Sequence, residues 1–174
     1  IGARIERLPE SLRELLATAA VEGETFTAEV VARVRDEAFR ATIHRLRREL
    51  EARHRLVTAG GIRALDGGRL SMFGFAHVLF QRYLYGTLNE AQRVQLHLDV
   101  GAALEALYGG DTEEIAPQLA RHFEVGHDLR KAVHYLHLAG ARATRLTANQ
   151  EAIGHLTRAL ELLMTLPESQ GRDR

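Results

Sequence analysis

Apolar residues recur at helical spacing along most of the chain, with one interruption. Leu12, Leu15, Leu16 and Ala19 follow Pro9, whose fixed φ suits a first helical turn, and predict a helix over about 9–21 that Gly23 ends. Thr27 is placed to cap a short second helix burying Val30, Val31 and Val34. A third helix carries the stripe Phe39, Ile43, Leu46 and Leu50, with Asp36 as its cap and arginines on its other face. The pattern then changes. Ile62 and Leu65 precede Asp66-Gly67-Gly68, and Leu70, Met72 and Phe73 follow, which predicts two short strands about a turn. Three helices and then a hairpin is the order of a winged helix, assigned here to residues 4–75.

From His77 onward the chain reads as four or five helices, broken at Gly86 to Asn89, at Gly109-Gly110-Asp111, at Gly126-His127-Asp128 and near Thr147 to Asn149. This half has a faint internal repeat. Ala120, Phe123, Ala132, Leu136 and Ala139 stand at the same steps as Gly140, Ala143, Ala152, Leu156 and Ala159. Small residues at such positions let antiparallel helices approach closely, as tetratricopeptide repeats require. The offset between the two copies is 20 residues rather than about 34, so one helix must serve both copies and the array is degenerate. The expected fold class is therefore all-α with one small β-hairpin. A linking helical pair is assigned to 76–110, a tetratricopeptide-like stack to 111–166 and a disordered tail to 167–174.

Charge adds little in total and more in its placement. Lys and Arg number 23, as do Asp and Glu, so no overall field draws the chain to nucleic acid or to an anionic membrane. Eight arginines nevertheless crowd residues 33–55 beside only four acids, and Lys131 is the sole lysine. In a winged helix, Arg40, Arg47 and Arg48 on the third helix and Arg63 or Arg69 on the wing are candidate nucleic-acid contacts. Glu49 and Glu51 interrupt that run and Asp66 sits at the wing tip, so a solvated or partner-facing surface is the favoured reading.

Catalytic chemistry is poorly supplied. Without cysteine there is no disulfide framework, thiolate zinc site or cysteine nucleophile. The lone lysine follows no phosphate-binding loop, and none of Ser11, Ser71 and Ser169 lies in a nucleophile elbow. His122, His127, His134 and His137 are close in sequence, but zinc needs three or four convergent ligands, and solvated helix faces are the simpler reading. The expectation is a chain with no enzyme activity, no cofactor and no metal of its own.

Several stretches resemble one family. His54-Arg55-Leu56-Val57, the run Phe73-Gly74-Phe75-Ala76-His77-Val78-Leu79-Phe80 through Tyr85-Gly86-Thr87-Leu88, then Arg93 and Leu96-His97, look like the region after the ATPase core of bacterial STAND signal-transduction ATPases. Leu8-Pro9 to Phe26 and Glu151 to Leu163 fit the same pattern. The chain, which opens on Ile1 with what reads as mid-protein sequence, is then a regulatory and protein-interaction piece of a longer cytoplasmic polypeptide.

That resemblance implies ATP or ADP with Mg on a separate core, contacts with that core and an output domain, and a protein effector on the helical arm. No membrane contact is expected, and nucleic acid is disfavoured as a partner, because the charges balance and no uncharged run approaches the roughly 18 residues of a membrane span. The resemblance further implies that His77 matches the histidine of a Met-His-Asp nucleotide-sensing motif, with Ala76 and Val78 standing where Met and Asp are expected. The alternative for His77 is a cap on the helix after the wing. The alternative for the whole chain is a DNA-binding winged-helix regulator with a helical dimerisation arm.

Overall fold

A computed structural model describes residues 2–166, so the tail assigned to 167–174 lies outside the described residues. The chain divides between Leu107 and Tyr108 into two compact units. It is mostly helical with one small antiparallel sheet.

The first unit opens with α1 (Gly2–Glu6) and α2 (Glu10–Glu22), the second of which ends at Gly23, where φ is 153°. Strand β1 (Thr25–Thr27) leads into α3 (Ala28–Val34), and α4 (Phe39–His44) continues as a π-helical segment, Arg45–Arg53. Strands β2 (Val57–Leu65) and β3 (Gly68–Phe75) follow, then α5 (Val78–Thr87) and α6 (Glu90–Tyr108). The sheet order is β1-β3-β2, with Phe26 opposite Phe73 and Leu65 opposite Gly68.

The single hairpin expected from sequence is thus part of a three-stranded sheet. Three residues of β1 are too few to give an alternating signal. Phe26 is nonetheless central to the core, with its ring centroid 6.0 Å from that of Phe73 and 5.3 Å from that of Phe75. Leu15, Leu16, Val31, Leu46 and Leu50 pack into the same core, and Phe80 and Leu84 of α5 join them. The helical pair assigned to a link therefore begins inside the first unit.

Two expected caps and one expected core residue need correction. Thr27 does precede α3, but its hydroxyl donates to Glu22 Oε1 at 2.6 Å instead of capping the helix. Asp36 does not cap α4; it sits at φ 51° in the turn that ends α3, and Ala38 holds the N-cap position. Phe39 is 42% exposed, and the buried row is Thr42, Leu46 and Leu50. Steps of four along this row suit the wider turn of a π-helix, whereas the expected stripe assumed 3.6 residues per turn throughout.

The second unit contains α7 (Ala116–Val125), α8 (Leu129–Arg145) and α9 (Asn149–Thr165), with α8 packed against both of the others. Its 20-residue repeat is written in the backbone. After α7, His127 has φ 61°, its N–H donates to Glu124 O at 3.1 Å, and Asp128 N–H donates to Phe123 O at 2.9 Å. After α8, Thr147 has φ 57°, its N–H donates to Thr144 O at 3.1 Å, and Ala148 N–H donates to Ala143 O at 2.9 Å. Both are Schellman turns, in which a left-handed residue lets two amides satisfy the last carbonyls of a helix. Gly140 then permits close approach of α9, because a Cβ there would lie 2.7 Å from Leu156 Cγ.

Candidate functional site

His77 is exposed and occupies the N-cap of α5, directly after β3. Its Nδ1 accepts the Leu79 N–H at 3.1 Å, and its ring meets Phe80 edge-on with centroids 6.5 Å apart. An Nδ1 that accepts carries no proton, which puts the ring hydrogen on Nε2. The cap therefore leaves Nε2–H as the ring's remaining donor.

The residues quoted beyond His77 make a lock between α5 and α6. Tyr85 Oη and His97 Nε2 are 3.0 Å apart, with the two rings nearly perpendicular at 5.8 Å. The Arg93 guanidinium lies 4.9 Å from the centroid of the same tyrosine ring. Asn89 and Gln92 exchange reciprocal side-chain bonds to each other's backbone N–H, at 2.9 and 3.0 Å, as a capping box does. Sequence reasoning did not assemble this cluster, although Arg93 and His97 are four apart on a helix and so share a face.

The arginines of the third helix divide into two groups. Arg35 and Arg45 are bound to Glu37 at 2.9 and 2.8 Å, and Arg35 also reaches Glu14 at 3.0 Å. Arg40, Arg47 and Arg48 are exposed and form no ion pair among the described residues. With Thr42, Leu46 and Leu50 inward, the row two residues away, Arg40, His44 and Arg48, runs along the outer side and is exposed throughout. Arg63 is also exposed, on β2. It stands opposite Leu70, while Arg69 stands opposite Ala64 one step away, so these two arginines point to opposite faces of the hairpin.

In the second unit the four histidines do not act together. His122 is fully buried, against the expectation of a solvated face, while His127, His134 and His137 are exposed. Among the described residues no three His, Asp or Glu side chains converge as a metal site. Phe123 stacks on Tyr135 at 5.7 Å and carries the Lys131 ammonium 4.6 Å from its ring centroid. Helix α9 buries Ala152, Ala159 and Leu162 and exposes Ile153, Leu160, Leu163 and Met164. No helix among the described residues is long and apolar enough to cross a membrane.

Comparison with family models, with curated proteins and with solved structures finds no match to the chain.

Proposed function

We propose that the chain is a non-catalytic regulatory and protein-interaction segment of a STAND-type signalling ATPase. Residues 4–75 serve as the winged helix and residues 111–166 as a tetratricopeptide-like arm. The observation that carries this reading is the 20-residue repetition of one helix-ending turn beside a helix, α9, whose outer face is apolar and exposed. Helical repeats use such extended surfaces to hold other protein segments. The order helix, strand, helix, helix, hairpin in the first unit supports the winged-helix half of the reading.

Within this proposal His77 senses nucleotide from the start of α5. Its Nε2–H can donate to a phosphate oxygen of ADP on the core while Nδ1 keeps the cap. ATP and Mg belong to that core, and residues 1–174 supply neither a phosphate-binding loop nor turnover.

The test uses the polypeptide encoded by the complete reading frame. It should hydrolyse ATP where the 174-residue chain alone does not. A complete polypeptide that binds neither ATP nor ADP overturns the proposal. Within an active one, His77→Ala should weaken ADP binding; unchanged affinity assigns His77 to local capping alone.

A further inference from the structure

We propose that the outer face of α4 and the π-helical segment docks into the major groove of duplex DNA, with Arg40 and Arg48 on phosphates or base edges. In the sequence Glu49 and Glu51 argue against such a surface, because they interrupt the arginine run. The fold answers that objection. Glu51 turns to the sheet and accepts the Ala59 N–H of β2 at 2.8 Å. Glu49 is half-buried, and Glu37 is occupied by Arg35 and Arg45. What remains outward along the row is Arg40, His44 and Arg48, with Arg47 beside it.

The chemistry of the row fits a polyanion. Every fixed positive charge on it is a guanidinium, whose planar fork matches a phosphate or the O6 and N7 edge of guanine; the one lysine of the chain lies in the second unit. Arg40 and Arg48 stand at the two ends of the row, and a helix with its side chains, about 10–12 Å across, fits the roughly 12 Å width of the B-form major groove. An A-form RNA duplex has a major groove too narrow to admit this face. Between its ends the row offers no large apolar side chain, whereas protein partners are held chiefly by buried aromatic and aliphatic anchors.

Few contacts mean modest, salt-sensitive binding. About three phosphates neutralised gives a log–log slope near −3, so raising salt from about 50 to 200 mM should weaken binding on the order of 40-fold.

The experiment is fluorescence anisotropy of a labelled mixed-sequence duplex of about 20 base pairs, titrated with the 174-residue chain at those two salt concentrations. Binding with the stated salt loss is expected, and Arg40→Ala with Arg48→Ala should weaken it at least about tenfold and flatten the slope by about 2. Arg130→Ala, an exposed position on α8, should change nothing. The paired variants Arg40→Gln and Arg48→Gln remove the charge while keeping a polar side chain on the helix, and replace the alanine pair should that pair melt early. No binding at the lower salt, binding indifferent to the double variant, or equal affinity for poly-glutamate or single-stranded DNA each overturns the proposal. It does not depend on the signalling-ATPase reading: duplex binding by a chain whose complete polypeptide lacks nucleotide affinity would sink that reading and leave this one standing.

Discussion

In the first unit polar side chains reach across elements to hold the chain in place, whereas in the second the turn that also ends α3 recurs after 20 residues. Glu22, at the end of α2, receives both the N–H and the hydroxyl of Thr27, at 3.0 and 2.6 Å. Glu29 of α3 takes the N–H and hydroxyl of Ser71 on β3, at 2.8 and 3.0 Å, and Gln81 of α5 donates to Ala20 O at 2.8 Å. The second unit has long-range ion pairs too, Arg145 with Glu113 and Arg158 with Glu124, but both are exposed, where such pairs contribute little.

A sheet joins segments distant in sequence and so needs pins between elements. A helical stack closes through neighbours and needs only a reliable turn.

The cores differ in the same sense. The first is filled mainly by Leu, Val and Phe, and the second sets Leu119, Phe123 and Leu136 among Ala132, Ala139, Ala143, Ala152 and Ala159. The first should therefore be hurt by truncation and the second by enlargement. Leu46→Ala removes a fully buried side chain from the wide helix and should lower stability by about 2–5 kcal/mol in urea unfolding. A loss below about 0.5 kcal/mol would place the Thr42–Leu46–Leu50 row in water and break the contrast at its strongest point.

The Glu22 pin should show itself in pH. Burial is the main reason that its carboxyl is pushed up to about 7 from 4.5; the bonds from Thr27 oppose the shift and Glu29 adds to it. The folded state then holds a proton that the unfolded state has already released. Its stabilising effect is complete below about pH 4.5 and is lost as the pH rises through about 7, by up to about 3 kcal/mol. Glu22→Gln should flatten thermal stability between pH 5 and pH 8. A pH profile between 5 and 8 that Glu22→Gln leaves unchanged would mean the carboxyl is already ionised in the fold.

Enlargement is tested at Gly140. A Cβ there would meet Leu156 Cγ and Cδ2 at 2.7 Å, so Gly140→Ala must push α8 and α9 apart or move Leu156. Overpacking of about 1–3 kcal/mol is offset by about 1 kcal/mol of helix propensity, which leaves a net loss near 1 kcal/mol. Adding Leu156→Ala should recover part of the loss. Two strictly additive losses would show that the helices do not meet at this point.

How far these features were legible in the sequence follows from their range. The helix breaks after Thr87, Tyr108, Val125 and Arg145 could be read directly, because a turn of glycine and polar residues is a local signal. The 20-residue repeat was visible in small residues for the same reason. Thr27 and Asp36 looked like caps because Thr and Asp ahead of an apolar run usually are, but Thr27 has a buried carboxylate five residues back that binds its hydroxyl more strongly. That carboxylate gives no signal until the chain is folded. The arginines on the outer side of the third helix could be read from spacing, but the departure of Glu51 from that side could not, since only the fold shows it turned onto β2.

The smallest effect tests the repeated turn itself. His127 and Thr147 occupy equivalent left-handed positions, at φ 61° and 57°. Glycine adopts that conformation without strain, histidine visits it at some cost, and a β-branched residue is the poorest fit. Thr147→Gly removes the strain along with a hydroxyl bond to Leu146 O at 2.7 Å, and it also loosens the unfolded chain. The net gain should be about 0.5–1 kcal/mol, and His127→Gly should gain less. Thermal melts of the two variants rank them directly. Were His127→Gly the larger gain, the turns would match in angle and not in strain, and the second unit would owe its regularity to the packing of its small residues and not to its backbone.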